Sequence, residues 1–165
     1  MSSSPARSIT TVLASATANA TADANAHIDL APLHLGLGRL AEALMLWQQQ
    51  AEGSILKPHL RSAVIQSFEV AYELSIRMLR RVLMERAASA DRVTDLSFND
   101  LLRQAADAGL LSEPMAWRTW RALRNATSHA YDEARAEAVA GESQRFLADA
   151  QALLSALRLA LGATP

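Results

Sequence analysis

The stretch RNATSHAY, from Arg124 to Tyr131, gathers the side chains of this chain best suited to chemistry. Arg124 and His129 stand five positions apart, with Asn125, Thr127 and Ser128 between them and Tyr131 two past the histidine. Histidine is the side chain that titrates near neutral pH unaided. Beside a phosphodiester it can take the proton of a ribose 2′-hydroxyl, or give one to the leaving oxygen. A guanidinium can stabilise the charge of a pentacoordinate phosphorus, and Asn125 can orient the phosphate or a base. A plainer reading stands beside this one. Asn, Thr and Ser compete for backbone hydrogen bonds and form helix poorly, so the stretch also reads as a helix end whose His129 and Tyr131 satisfy nearby groups. Arginine and histidine at this spacing arise by chance in about one of three such chains; a tyrosine two residues on lowers that to below about one in a hundred.

The neighbours of the stretch sharpen the first reading. Arg118, Arg121 and Arg124 lie three apart and form a skewed stripe on one side of a helix, which is either a solvated basic face or a local contact for phosphate or RNA. Downstream, Asp132 fits the cap of a following helix. Helix N-terminal donors, the Arg124 guanidinium and the His129 imidazole would then converge as a phosphate site. A second set lies in FEVAYE, where Glu69 and Glu73 form an i,i+4 like-charge pair that costs a little unless compensated. Arg77, one turn beyond Glu73, makes a surface charge row the bland account. The functional account has a carboxylate reach Arg124 or His129 and orient it. The four histidines, His27, His34, His59 and His129, have no ligand spacing, so neither a metal nor a cofactor is expected.

The bulk numbers bound these options. The chain has 165 residues, half of them hydrophobic, which suffices for one domain with a true core. It has no cysteine, which excludes disulfides, thiolate metal sites and a cysteine nucleophile. The net charge of −1 argues against a global grip on nucleic acid and leaves only a local one. Of the cations only Lys57 is a lysine. Arginine suits bidentate phosphate contact, although an arginine- and alanine-rich composition is also a genomic habit. No apolar run is long enough to span a membrane, and the broken apolar stretch after Arg7 does not support a signal peptide. A cytoplasmic location is expected.

The elements that must position these residues are helices. Residues 1–30, rich in Ser, Thr, Ala and Asn, read as a flexible low-complexity tail that cannot offset its ordering entropy; residues 31–165 read as one helical domain. A first helix is expected from about Leu33 to Gln50. A long second one runs from Lys57–Pro58 to about Ala87, with Leu60, Val64, Ala71, Leu74, Met78 and Val82 as its stripe. Ser89 to Asp95 reads as a polar linker. SFNDLLRQAADAGL reads as a short helix capped by Ser97 and stopped by Gly109. A fourth helix begins at Ser112–Pro114 and carries Trp117 and Trp120 into the quoted stretch. A fifth runs from about Asp132 to Leu161. Trp47, Trp117 and Trp120 are expected in the core or on a dimer face. Short loops favour antiparallel neighbours, so the expected fold is all-α, an antiparallel four- to five-helix bundle.

Three blocks, VIQSFEVAYELSIRMLRRVL, FNDLLRQAADAGLL and RNATSHAYDE, occur in the order found in the nucleotidyltransferase substrate-binding proteins, a branch of the HEPN helical domains, and the chain resembles that family over roughly residues 33 to 160. The resemblance implies a helical bundle that forms a homodimer with the two R-x4-H motifs facing a shared cleft. It also implies a partner, a minimal nucleotidyltransferase. In many HEPN proteins the Arg and His of the motif make a metal-independent ribonuclease, often a toxin. Where the motif continues to R-x4-H-x-Y, the partner silences it by attaching AMP to the tyrosine. By resemblance, Arg124 and His129 match the nuclease pair, Asn125 the polar residue after the arginine, and Tyr131 the modified tyrosine. Glu69 and Glu73 match the acidic block of the long helix, with Ser128 and Asp132 as further supporting positions. The leading expectation is an endoribonuclease toxin controlled by a nucleotidyltransferase. The alternatives are a non-catalytic nucleotide- or substrate-binding subunit of that partner, and a plain helical dimerisation module.

Overall fold

The computed structural model describes residues 28–87, 91–127 and 133–162. Among them the fold is all-α: α1 (Ala31–Gln49), α2 (Lys57–Arg86), a single turn α3 (Asp91–Thr94), α4 (Phe98–Asp107), α5 (Pro114–Ala126) and α6 (Glu133–Ala160). The greater part of the expected N-terminal tail, residues 1–27, lies outside the described residues. Its last apolar positions, Ile28 and Leu30, already pack into the core, so packing begins three residues before the expected domain boundary at residue 31.

Local chemistry explains most element ends. The Ala31 amide donates to Asp29 Oδ1 at 2.8 Å, and proline sits in the first turn of α1, α2 and α5, where its missing N–H costs nothing. Ser97 caps α4 as expected, accepting from the Asp100 amide at 3.2 Å. Gly109 terminates that helix with φ 72°, and the Leu110 and Gly109 amides donate to the Ala105 and Ala106 carbonyl oxygens at 2.8 and 2.9 Å. That pair of bonds is a Schellman ending, which needs the left-handed backbone that glycine adopts freely. The expected polar linker departs from expectation in one respect. It contains the turn α3, because Val93, the one large apolar residue between Ala87 and Leu96, is buried at 2% exposure and is worth covering.

Contacts show how the helices run. Gly36 of α1 lies against Leu74 of α2, while Lys57 at the start of α2 reaches back to Trp47 near the end of α1, so these two are antiparallel. The same holds for α5 and α6, where Trp117 lines a hollow with Leu153 and Ala156, while Trp120, one turn on, lines another with Arg145 and Ala148. The two long helices behave differently. Arg61 meets Glu133 and Glu137, and Phe68 meets Phe146, so α2 and α6 run side by side in the same direction. The pairs α1–α2 and α5–α6 are thus antiparallel, and the long parallel pair α2–α6 forms the spine, with α1 packed on both of its helices and α5 also touching both.

The centre of that spine is aromatic. Phe146 takes the Phe68 ring edge-on at 4.9 Å and 87°, Trp120 at 5.9 Å and Trp117 at 6.1 Å, geometries favoured by the ring quadrupoles. All three tryptophans are buried within this one chain, which settles the choice between core and dimer face for the core. Ser75 and Ser143, fully buried, donate to the carbonyl oxygens of Ala71 and Val139 at 2.8 and 2.7 Å, so neither leaves a polar group unsatisfied. Replacing Phe146 by alanine should cost about 3–5 kcal/mol of stability. Urea unfolding of Phe146→Ala beside the wild type measures this, and a loss under about 1 kcal/mol would mean that the ring is not central.

Candidate functional site

The site residues are held at the end of α5, alongside the middle of α2. The last turn of α5 contains Arg124, and Thr127 follows it as the C-cap. The Arg124 Nε donates to Glu73 Oε1 at 2.9 Å. Thr127, buried at 7% exposure, places its hydroxyl between Glu69 Oε1 and the Arg124 carbonyl oxygen, the latter at 2.6 Å. Its single proton serves either acceptor, so Thr127 links the acidic row of α2 to the Arg124 carbonyl oxygen at the helix end, which also accepts from the Thr127 amide. The i,i+4 pair Glu69 and Glu73 is thus compensated from α5 at both of its members. Glu73 takes Arg124 across the helix interface, whereas the sequence offered it Arg77 on its own helix.

The rest of the basic stripe stands on the same helix. Arg121 lies over the Phe98 ring, its guanidinium carbon 4.5 Å from the centroid, a cation–π contact that ties α5 to the first turn of α4. Arg118, Arg121 and Asn125 are exposed, and the Arg124 side chain is 37% exposed. The pairing of Arg124 is therefore a partly solvated one, worth no more than about 1 kcal/mol as stability. What it contributes is direction: Glu73 engages Nε, and the terminal nitrogens form the edge that matches a phosphate.

Beneath this edge lies Tyr72, buried at 6% exposure among the charges of Arg121, Glu73 and Arg124. Burial pushes its phenol up to about 12; the two arginines pull it down and Glu73 pushes it up by less. Tyr72 is thus a neutral phenol at any pH near 7.

Of the residues singled out from sequence, the structure brings together Arg124, Glu73 and Glu69, and sets Arg118, Arg121 and Asn125 on the adjoining helix face. Ser128, His129, Tyr131 and Asp132 lie outside the described residues, as does the reading of Asp132 as a helix cap. Thr127 and Tyr72 were not anticipated as members. Thr127 had a signal, since a hydroxyl three residues after Arg124 can reach back to its carbonyl. Tyr72 borders the apolar stripe of the long helix, and nothing in spacing marks the charges around it. Among the described residues no helix is long and apolar enough to cross a membrane.

Comparison with known proteins places the chain. Residues 29–159 match the family model described as nucleotidyltransferase substrate binding protein like. A Haemophilus influenzae protein named probable ribonuclease HepT is 39% identical over 105 residues, covering 64% of this chain and 72% of that protein. A solved Haemophilus influenzae structure, described as revealing the fold of a substrate binding domain of a nucleotidyltransferase, superposes with a TM-score of 0.73 at 33% identity. It covers 79% of this chain and 99% of its own. The family match takes in every helix from α1 to α6 and the RNATSHAY stretch with them, and the chain therefore belongs to the nucleotidyltransferase substrate-binding protein family.

Proposed function

We propose that this chain is the HEPN-type subunit of a two-component system whose other member is a minimal nucleotidyltransferase, and that it is a metal-independent endoribonuclease. The observation that carries the proposal is the Arg124–Glu73 pair at 2.9 Å, which holds a phosphate-compatible guanidinium on an accessible edge, five positions from His129 in sequence. In this reading the 2′-oxygen of RNA attacks the adjacent phosphorus and the 5′-oxygen leaves. His129 takes the proton of the first or supplies that of the second. Arg124 bears the charge that builds on the phosphoryl oxygens, with Asn125, Ser128 and Asp132 in supporting roles, while Arg118 and Arg121 hold flanking phosphates. Two copies of the chain facing each other across the motif complete the cleft.

Silencing would then come through Tyr131. The chain has two tyrosines, and Tyr72 is buried with its phenol held protonated, which makes it a poor acceptor. A partner that transfers AMP to tyrosine is left with Tyr131. The tyrosyl oxygen attacks the α-phosphorus of ATP, pyrophosphate leaves, and the phosphodiester so formed adds bulk and negative charge two residues from His129.

The relative named probable ribonuclease supports the nuclease. The family description and the solved relative's description support a second reading, a non-catalytic subunit that binds a nucleotide or presents a substrate to the partner. Purified protein in EDTA with short labelled RNAs separates them. His129→Ala and Arg124→Ala should each lower cleavage by about 100-fold or more; equal silence from folded wild type and variants would favour the second reading. Glu73→Gln should lower kcat by about 3- to 30-fold through loss of Arg124 alignment, with little change in melting temperature. With the partner and ATP added, Tyr131→Phe should cleave as the wild type does and escape silencing. AMP-dependent silencing of that variant would refute the tyrosine switch.

A further inference from the structure

Arg61, on the first turns of α2, has no place in the account above. Its side chain is only 14% exposed, yet its guanidinium forks across two helix turns of α6. One terminal nitrogen donates to Glu137 Oε2 at 3.0 Å and the other to Glu133 Oε1 at 3.2 Å. Glu133 and Glu137 are an i,i+4 like-charge pair, unfavourable by itself, and a single lysine could not span both carboxylates as the planar fork does.

This arrangement mirrors the one at the other end of the motif. There the carboxylates belong to α2, Glu69 and Glu73, and are met by Thr127 and Arg124 of α5. Here the guanidinium belongs to α2 and the carboxylates to α6. Residues 61, 69 and 73 are spaced by eight and four along one helix, which keeps them on one side of it, with about 12 Å of rise between the first two. One rigid helix thus ties down the residue that precedes positions 128–132 and the residue that follows them. Arg61 needs no contact with substrate to matter, because a 1 Å displacement of a reacting group can cost about 100-fold in rate.

We infer that Arg61 is a positioning residue, which locks the first turn of α6 to α2 and so fixes the downstream end of the motif, as Glu73 fixes the upstream end. The anchoring stands on the ion pairs alone; its effect on cleavage rests on the ribonuclease reading. The test uses Arg61→Met, which keeps the apolar stem and removes the charge, beside the charge exchange of Arg61→Glu with Glu133→Arg and Glu137→Arg. Hydrogen exchange in the full-length protein is the first readout. Amides of residues 133–140 should exchange about three- to tenfold faster in Arg61→Met, with those of α1 unchanged, and the charge exchange should restore protection. RNA cleavage is the second readout: kcat should fall in Arg61→Met with KM held, and recover in the exchanged variant. Unchanged protection of 133–140, or no recovery on charge exchange, would overturn the inference. Wild-type protein that cleaves no RNA, with protection lost in Arg61→Met, would remove the ribonuclease reading and leave the anchor in place.

Discussion

The edge-to-face contact of Phe68 with Phe146 sets the distance between the two long helices, and the rest of the molecule is arranged around it. With the rings 4.9 Å apart, α2 and α6 lie close enough for the flank of α2 to reach neighbouring helices with charged side chains. Trp117 and Trp120 lean on the same Phe146, which brings α5 against the pair. Only then do Glu69 and Glu73 meet Thr127 and Arg124. The polar site is therefore a consequence of apolar packing: the ion pairs are partly solvated and too weak to choose the fold, and they read out a geometry that aromatic burial imposes.

The long helix α2 serves both tasks at once. Its buried stripe, from Val64 through Phe68, Ala71, Met78 and Val82, belongs to the core, and its margin carries Arg61, Glu69 and Glu73. Tyr72 sits at the seam, inside the core by burial and next to three charges by position. Such a helix cannot shift by a residue without losing both faces, because the periodicity of 3.6 that buries one set presents the other.

Much of this was legible in the sequence. The helices, the Ser97 cap, the Gly109 stop and the stripe of α2 follow from spacing and turn chemistry that act locally. The acidic pair Glu69 and Glu73 was legible as a pair in need of compensation. Its partner was not, since an unpaired carboxylate row points equally to Arg77 on its own helix and to any cation brought near by packing. The fork of Arg61 lay hidden for the same reason: Glu133 and Glu137 announce a like-charge conflict, and which of 15 arginines (16 cations less Lys57) resolves it is decided by how α2 and α6 run. The turn at Asp91–Thr94 was missed because three polar residues conceal one valine that the core can use.

The side-by-side course of α2 and α6 also bears on the order in which the molecule comes together. Arg61 and Glu133 are separated by 72 positions, Arg124 and Glu73 by 51, and Phe146 belongs to α6, far downstream of α2 in the chain. Helices α1 and α2 can pair as a local hairpin while the chain is still growing, since neighbours in sequence close small loops first. The spine itself must wait for α6 to emerge and return. A nascent chain would thus carry the arginine stripe without the aromatic wedge that seats it, and the phosphate-compatible edge of Arg124 becomes fixed only once α6 has emerged. For a protein proposed to cut RNA, that order leaves the edge unassembled through the synthesis of everything before α6.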